Sequence, residues 1–356
     1  MTAMLSAAAC TSPQTKTPPQ VIAHRGCWLE DLVPENSISG VRMAQRYGYP
    51  AIECDVKYTL DSVMVLMHDG TINRTMRNAA DYSVIEEPVK VNDILFEDLR
   101  ANYVFASDDP AERVQIPTLE ELLLACKECG IHPVLHSEVE ESYRLAQEIL
   151  GDDWTAFSVD YDKMAYARSI SGCDILWDPG ELDAEGTIAK LEDLGGKTGM
   201  STMNWRMLDS TYIATVRDAG HDVQSSIFAS PHEADAIHYG ASYILSDFCW
   251  LQQEGRAPVY AGKYEDLPLN VGDCIPYKYP EIMDYGAMTI SITFSGNVQI
   301  IINGKRIYTF TSAEKQTRNI GFRFSRTRPE YLFTTGTGCE IYDCEANIYA
   351  IYKDNT

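Results

Sequence analysis

The first 140 residues contain a group of side chains suited to proton transfer, cation binding and anion binding. Histidine exchanges a proton near neutral pH, carboxylates bind hard cations, and arginine binds a phosphate through a planar set of donors. The candidates lie at or near the ends of runs that predict β-strands, where parallel sheets commonly collect functional groups. The residues are His24, Arg25, Glu53, Asp55, His68, His136 and Glu138.

Three carboxylates among them could hold a metal ion. Glu53 and Asp55 are two residues apart in a predicted strand, so their side chains point to the same face. Ile52 and Cys54 flank them in a run that predicts burial, and a buried pair of carboxylates is costly unless a cation neutralises it. Together with Glu138 they form a set of oxygen ligands without cysteine, which suits Ca²⁺ or Mg²⁺.

The histidines and Arg25 add acid–base and anion-binding capacity. His24 closes the first predicted strand, and His68 follows a short hairpin predicted over Lys57–Met67. A single histidine at a strand end is more often a hydrogen-bonded structural residue, and a Glu-x-Asp pair on a strand is usually solvated. Their joint placement at strand ends therefore carries the interpretation, which is metal-assisted hydrolysis of a phosphodiester with two histidines exchanging the protons.

Strands and helices alternate from residue 21 to about residue 255, a pattern typical of β/α units and a parallel sheet. This length suits a TIM barrel, in which the carboxyl ends of all strands share one rim, so the candidate residues would converge there. A doubly wound sheet is the alternative, but no Gly-rich phosphate turn follows the first strand. The predicted strands are Val21–Ala23, Ala51–Val56, Pro133–Val139, Ala156–Val159, Asp174–Trp177, Gly199–Asn204, Val223–Phe228 and Ser242–Ser246. The clearest predicted helices are Ser37–Tyr47, Thr118–Cys129 with Thr118 as N-cap, and Glu141–Leu150.

After Gly255–Pro258 the chain changes to β-branched and aromatic runs separated by turns, and an Asn-Gly pair such as Asn303-Gly304 is typical of a hairpin. We expect an antiparallel β-sandwich over 258–356, after a barrel over 20–257. The predicted strands are Thr289–Phe294, Val298–Ile302, Arg306–Thr311, Asn319–Phe324 and Glu340–Tyr352, with a turn at Ser295–Asn297. Aromatic residues of this unit could stack on a glycan, although scattered surface tyrosines are common. The tyrosines are Tyr277, Tyr279 and Tyr331.

The N-terminal segment over 1–19 resembles the end of a bacterial lipoprotein signal followed by a tether. Small residues run into Cys10, and a stretch rich in Thr, Ser and Pro follows it. Ala7 stands where Leu is usual and a basic segment is missing, so a plain N-terminal tail is the alternative. We expect a protein of the cell envelope or periplasm, or a secreted one, that contacts a membrane only through a lipid anchor at Cys10.

The charge of the chain argues against a nucleic-acid partner. The formal net charge is −23. Only 10 of the 29 basic and 11 of the 52 acidic residues lie in 258–356, so nearly all of the excess negative charge precedes that segment. Such a field repels phosphates at long range unless a bound cation reverses the local potential. No apolar run approaches the ~18 residues that would indicate a membrane span.

Beyond the candidate residues, a series of short motifs resembles the glycerophosphodiester phosphodiesterase family. Their order and spacing agree over about residues 20–250, roughly two thirds of the chain. The motifs are Ala23-His-Arg-Gly26, Pro34-Glu-Asn-Ser37, Ile52-Glu-Cys-Asp-Val56, Thr59-Leu-Asp61, Val65-Leu-Met-His-Asp69 with Arg74-Thr75, Ile116-Pro-Thr-Leu-Glu-Glu-Leu122, Leu135-His-Ser-Glu138 and Ile244-Leu-Ser-Asp247.

The resemblance implies a TIM barrel that hydrolyses a small-molecule glycerophosphodiester to glycerol phosphate and an alcohol. It implies a divalent cation, Ca²⁺ or Mg²⁺, and a phosphate-binding Arg25. The implied cation ligands are Glu53, Asp55 and Glu138. The implied acid–base pair is His24 and His68, in either assignment.

Two departures from the family pattern concern the substrate pocket. Glu140 stands two residues after the third implied metal ligand, where the family usually has lysine, and Gln224–Phe228 replaces a Trp-Thr pair. Trp177 or Trp205 could supply the missing aromatic, although packing is the commoner role. His136 and Glu140 are therefore candidate pocket residues. The alternatives to the lead hypothesis are a larger diester, such as a lyso-lipid or a teichoic-acid-like polymer, and a non-catalytic surface protein that binds glycan.

Overall fold

The computed structural model describes most of the predicted barrel and the strands that follow it. The described residues are 20–28, 33–202, 210–227, 241–246, 260–263, 274–278, 283–302, 306–327, 330–335 and 338–350. Cys10 and the remainder of the predicted tether lie outside them, as do Trp205 and Tyr279. The lipid anchor and the location that it implies therefore stay predictions.

The first part of the chain forms a closed barrel of parallel strands. The strands up to Ser246 are β1 (Gln20–Ala23), β2 (Ala51–Tyr58), β3 (Met64–Leu66), β4 (Met76–Asn78), β5 (Tyr103–Phe105), β6 (His132–His136), β7 (Thr155–Ser158), β8 (Asp174–Trp177), β9 (Thr198–Thr202), β10 (Asp222–Ile227) and β11 (Tyr243–Ser246). The barrel order is β1, β2, β6, β7, β8, β9, β10 and β11, and β11 pairs back to β1. All strands predicted for the barrel are present, so the TIM-barrel prediction is confirmed.

Helices connect the barrel strands, and local capping signals fix where two of them begin. The helices are α1 (Ile38–Tyr47), α2 (Phe96–Asn102), α3 (Leu119–Cys129), α4 (Glu140–Leu150), α5 (Tyr161–Ile170), α6 (Ala184–Leu194) and α7 (Ser210–Asp218), with 3₁₀ turns at Val91–Asp93 and Pro110–Glu112. Ser37 caps α1 by accepting from the Gly40 N–H. Thr118 and Glu121 form a capping box at α3, which confirms the predicted N-cap. Among the described residues, the helices are too short or too polar to cross a bilayer.

The barrel strands separate two apolar layers. The outer layer packs strand residues such as Ile52 against the helices. The interior layer contains Ile22, Ala51, Val134, Phe157, Leu176 and Leu245. Because side chains alternate along a strand, the interior face of β2 continues from Ala51 to Glu53 and Asp55, and that of β6 ends at His136. The apolar interior therefore gives way to polar side chains at the carboxyl end of the barrel.

An insertion over residues 59–117 lies between β2 and α3. β3 runs antiparallel to β2, with Val56 opposite Leu66, which confirms the hairpin predicted over Lys57–Met67. β4 and β5 form a second small antiparallel pair. The insertion has its own apolar core of Val65, Met67, Ile72, Met76, Ile85, Val91, Leu99, Phe105 and Ile116. It carries His68 to the cavity at the carboxyl end of the barrel.

The C-terminal strands are antiparallel, as predicted. They are β12 (Tyr260–Lys263), β13 (Cys274–Lys278), β14 (Met283–Ile302), β15 (Arg306–Thr327), β16 (Glu330–Thr335) and β17 (Glu340–Ala350). These described strands belong to one hydrogen-bonded sheet in which β14 pairs with β15, β16 and β17. Ile302 pairs with Arg306 across the predicted Asn-Gly hairpin, whose residues 303–305 lie outside the described part of the chain.

The predicted turn at Ser295–Asn297 is wrong, because β14 continues through it. The register of β14 against β15 shifts between Phe294 and Gly296, which marks a bulge. Gly296 has a left-handed φ of 86°, and a Cβ there would lie 2.5 Å from the carbonyl oxygen of Gly338. The glycine therefore permits a bulge and a close backbone approach rather than a chain reversal.

Candidate active site

Two buried carboxylates lie on β2 at the carboxyl end of the barrel. Glu53 and Asp55 are 1% and 4% exposed. The backbone N–H of Arg25 donates to Glu53 Oε2 at 2.9 Å. Asn36 holds Asp55 twice, since its amide donates to Oδ2 at 2.9 Å and its carbonyl oxygen accepts from the Asp55 N–H at 3.0 Å. The structure therefore brings this predicted pair together and surrounds it with donors.

His136 on the neighbouring strand β6 lies against both carboxylates. It stands opposite Asp55 in the parallel register, and its Nδ1 is 3.2 Å from Asp55 Oδ1 and 3.7 Å from Glu53 Oε1. One potential ligand atom from each of these residues lies within 4.8 Å of the others. The imidazole stacks on Phe157 with ring centroids 4.5 Å apart. Burial raises the pKa of Asp55, but hydrogen bonds from His136 and Asn36 outweigh burial and hold the pKa well below its ordinary value.

The turn after β1 places His24 and Arg25 beside β2. Arg25 and Gly26 have left-handed φ values of 56° and 82°, and the Gly26 N–H donates to the carbonyl oxygen of Glu53 at 3.0 Å. Glycine adopts this conformation without steric cost, so Gly26 suits the turn. His24 is buried, with Nε2 3.9 Å from Glu53 Oε2, and Arg25 Nε lies 3.7 Å from Asp55 Oδ2.

A chain of hydrogen bonds and ion pairs connects His68 to Arg25 through Asp69, Arg74 and Glu35, and we call these five residues the charge chain. His68 Nδ1 lies 2.8 Å from Asp69 Oδ1, and Arg74 Nε donates to Asp69 Oδ2 at 2.6 Å. Arg74 also donates two hydrogen bonds to Glu35, at 2.7 and 2.8 Å. Arg25 donates to the same carboxylate at 3.1 Å. Glu35 is thus a buried anion shared by two guanidinium groups.

These side chains line a cavity of about 410 Å³ at the carboxyl end of the barrel. Its lining residues are His24, Arg25, Trp28, Glu35, Glu53, His68, Arg74, His136, Phe157 and Leu245. A second cavity of about 410 Å³ shares Trp28, Glu35 and Arg74 with the first, so the two adjoin. A third, of about 330 Å³, lies among residues at the opposite ends of the strands and contains neither predicted catalytic histidine.

Among the described residues, Glu138 is not in the group of potential ligand atoms within 4.8 Å of one another that Glu53, Asp55 and His136 form. β6 ends at His136, so Glu138 lies two residues beyond the end of the strand. The Ser137 hydroxyl accepts from the N–H of the second residue after it at 3.0 Å, so the chain turns here. The Glu138 side chain is exposed and accepts from the Ser158 hydroxyl at 2.6 Å. The alternation of side-chain faces along β6 therefore does not extend to Glu138.

The positions that depart from the family pattern have structural partners of their own. Glu140 begins α4 and accepts a hydrogen bond from Lys163 Nζ at 3.0 Å, so a cation from α5 pairs with it. Gln224 is fully buried and donates to the Ser201 hydroxyl at 2.8 Å. Trp177 is buried in the outer layer and supplies no aromatic wall. Neither Glu140 nor Trp177 lines the cavity that contains His24 and His68, as far as the described residues define it.

The sequence patterns indicated no role for Glu35, Asn36 or Asp69, which position the candidate residues. Their signal was present in the motifs Pro34–Ser37 and Val65–Asp69, where each adjoins or accompanies a predicted functional residue. A hydrogen-bonding role for such residues depends on contacts between distant segments, which strand periodicity does not report.

Sequence comparison finds a family model that matches the first part of the barrel. Residues 24–174 match the model of the Glycerophosphoryl diester phosphodiesterase family. Glycerophosphodiester phosphodiesterase 1 of Mus musculus is 36% identical over 110 residues, which cover 30% of this chain and 29% of the relative. The glycerophosphodiester phosphodiesterase of Caldanaerobacter subterraneus is 36% identical over 105 residues, which cover 29% of this chain and 38% of the relative. The chain thus spans well under half of these relatives, and the predicted resemblance is confirmed for residues 24–174.

Solved structures share the fold of the barrel. A phosphodiesterase of Oleispira antarctica, solved in complex with the product sn-glycerol-3-phosphate, aligns with a TM-score of 0.54 at 20% identity, over 65% of this chain and 94% of that one. A glycerophosphodiester phosphodiesterase of Parabacteroides distasonis aligns with a TM-score of 0.51 at 19% identity, over 66% of this chain and 95% of that one. At this level of identity the comparison supports the TIM-barrel fold alone.

Replacing Glu35 should destabilise the protein strongly. Glu35→Ala removes the carboxylate that Arg25 and Arg74 share, and it leaves the largely buried Arg25 with the longer, 3.7 Å contact to Asp55. We expect a loss of about 3 kcal/mol in the free energy of unfolding, since removing one partner of a buried pair costs about 3–5 kcal/mol. Urea unfolding followed by circular dichroism measures it. Asp93→Ala, which breaks the exposed Lys90–Asp93 pair, is the control and should change stability by less than about 1 kcal/mol. Equal effects of the two variants would contradict the stabilising role of the buried Glu35 carboxylate.

The charge chain should also affect stability in acid. The hydrogen bond from Arg74 lowers the pKa of Asp69 to about 2, below the value of about 3.9 for an unfolded chain. The folded pKa is the lower one, so the stabilisation is present above about pH 4 and is lost as the pH falls towards 2. We expect wild type to lose more unfolding free energy than Asp69→Asn across this window. Urea unfolding from pH 6 to pH 2, with Asp98→Asn on exposed α2 as control, measures the difference. Superimposable pH profiles for wild type and Asp69→Asn would contradict the prediction.

Proposed function

We propose that the barrel, whose residues 24–174 match the Glycerophosphoryl diester phosphodiesterase family, hydrolyses glycerophosphodiesters to glycerol phosphate and an alcohol with a divalent cation. The observation that carries the proposal is the meeting of His24, His68, Arg25 and Glu53 in one cavity at the carboxyl end of the barrel. The names of the relatives and the sn-glycerol-3-phosphate product bound to the Oleispira antarctica enzyme support the substrate class.

A divalent cation fits the donor set on β2. Glu53 and Asp55 would hold it, since two buried carboxylates at this spacing are stabilised by a positive charge between them. Carboxylate ligands favour Ca²⁺ or Mg²⁺, the two cations predicted from the sequence. When bound, the cation would polarise the phosphoryl oxygens and lower the pKa of the attacking hydroxyl group or water.

His24 and His68 would move the protons. The Nδ1 atom of His68 is engaged by Asp69, so Nε2 is the nitrogen that remains for the substrate. One histidine accepts the proton of the nucleophile, which is either the neighbouring glycerol hydroxyl, through a cyclic phosphate, or water. The other histidine protonates the leaving alcohol.

Arg25 and Arg74 would bind the phosphate. Both guanidinium groups line the cavity, and both are held by Glu35. An arginine whose orientation is already fixed loses less side-chain entropy when it binds an anion. The charge chain therefore prepares a positive surface within an acidic protein.

A larger alcohol is the second candidate, because the adjoining cavity provides space for it. That cavity is lined partly by Trp28, Arg77, Tyr82 and Asp108, which combine aromatic surface with charges of both signs. A lyso-lipid headgroup and the start of its chain would contact both cavities.

Removing the metal or either histidine should abolish most of the hydrolysis. With glycerophosphocholine or glycerophosphoethanolamine as substrate, we expect His24→Ala and His68→Ala each to lower kcat by about 10²–10⁴-fold, the contribution of a general acid or base. Chelation and Glu53→Ala should remove activity as well. His132→Ala is the control, since His132 is held by Asp153 and Thr155 at the opposite end of the barrel. Hydrolysis that survives chelation and the first three substitutions would refute the proposal.

The two substrate sizes can be separated by a variant of the adjoining cavity. If a lysophospholipid occupies both cavities, Arg77→Ala should raise KM for the lysophospholipid by several fold more than for glycerophosphoethanolamine. Steady-state kinetics with both substrates measures the two ratios. A clear preference of wild type for the small substrate, with no selective effect of Arg77→Ala, would exclude the larger diester.

A further inference from the structure

We propose that His136 is a direct ligand of the bound cation through Nδ1, which adds a nitrogen to the oxygens of Glu53 and Asp55. The inference deepens the proposed function, since it concerns the cation of the same site. It departs from the three carboxylates that the sequence predicts, and it changes which cation the site prefers.

The strand register delivers His136 to the carboxylates. Asp55 on β2 and His136 on β6 stand opposite each other in adjacent parallel strands and face the same side. Nδ1 is 3.2 Å from Asp55 Oδ1 and 3.7 Å from Glu53 Oε1, so the three atoms surround one point. Stacking on Phe157 limits rotation of the ring away from that point.

Glu138 follows the end of the strand and is engaged by another residue. The strand ends at His136, the Ser137 turn follows, and the Glu138 carboxylate is bonded to Ser158 and exposed. The group of potential ligand atoms within 4.8 Å of one another, within the described residues, consists of Glu53, Asp55 and His136.

A different role for His136 makes an opposite prediction. If His136 served only as a positive partner of the two carboxylates, it would compete with the cation, and its removal would strengthen cation binding. If it is a ligand, its removal weakens cation binding. The sign of the change in affinity therefore separates the two roles.

A nitrogen donor alters the expected metal preference. Carboxylate oxygens suit Mg²⁺, Ca²⁺ and Mn²⁺ alike, whereas an imidazole nitrogen is a better ligand for first-row transition cations, Mn²⁺ included, than for Mg²⁺ or Ca²⁺. With one histidine and two carboxylates, we expect Mn²⁺ to bind more tightly than Mg²⁺ or Ca²⁺.

Pulsed electron paramagnetic resonance of bound Mn²⁺ tests the ligand directly. Full-length wild type labelled with ¹⁵N-histidine should show the coupling of a directly bound histidine nitrogen to Mn²⁺. His136→Gln should lose this coupling, whereas His24→Gln should retain it. A wild-type spectrum without histidine coupling, or coupling that is lost with His24 and retained without His136, would overturn the inference.

Calorimetric titration with Mn²⁺, Mg²⁺ and Ca²⁺ gives the affinities. We expect His136→Gln to weaken Mn²⁺ binding by at least about 10-fold, since even partners of metal ligands contribute about 10–100-fold. Glu138→Gln should weaken it less. Unchanged or tighter Mn²⁺ binding by a folded His136→Gln, or a larger loss of affinity in Glu138→Gln, would show that His136 is not the third ligand and overturn the inference. Circular dichroism checks the folding of each variant. The paramagnetic resonance spectrum of wild type tests the ligand without any variant.

Failure of this inference can be told from failure of the proposed function. Wild type that hydrolyses a glycerophosphodiester but shows no histidine coupling to Mn²⁺ refutes the ligand and leaves the function intact. Wild type that shows the coupling but hydrolyses no glycerophosphodiester refutes the function and leaves the ligand.

Discussion

The burial of Glu53 and Asp55 is the constraint around which the rest of the site is arranged. Two like charges on one face of one strand are unstable in a barrel interior unless donors and positive charges surround them. The chain supplies these from three directions, with the Arg25 turn after β1, Asn36 before α1, and His136 on β6. The barrel makes the arrangement possible because β1 and β6 are the neighbours of β2, and their carboxyl ends meet at one rim.

Glu35 extends the same principle away from the metal site. It accepts hydrogen bonds from Arg25 of the β1 turn and from Arg74 of the insertion, and Arg74 also holds Asp69, the partner of His68. Positive and negative groups therefore alternate across elements that are far apart in sequence. The orientation of His68 depends in this way on Glu35, to which it is connected through Asp69 and Arg74.

Most of the fold could be predicted because apolar periodicity and capping chemistry are properties of short segments. The barrel strands follow from their apolar runs, and Thr118 marks the start of α3 through its own side chain. The prediction failed where one residue ends an element. The strand predicted to run to Val139 ends at His136 and the turn at Ser137 follows, so the alternation of side-chain faces does not extend to Glu138. A glycine with a left-handed φ, such as Gly296, is equally suited to a turn and to a bulge. Only the pairing of β14 with its neighbouring strands shows that this one is a bulge.

The insertion over residues 59–117 has an apolar core separate from that of the barrel, and this divides the site between two cooperative units. His68 and Arg74 belong to the insertion, whereas Glu53, Asp55 and His136 belong to the barrel. Such a unit can open by itself while the remainder of the molecule stays native. The free energy that keeps the site assembled is then that of closing the insertion onto the barrel, to which the pairing of β3 with β2 and the ion pair of Arg74 with Glu35 contribute. It can be smaller than the free energy of global unfolding, so loss of the assembled site and loss of the fold are separate events.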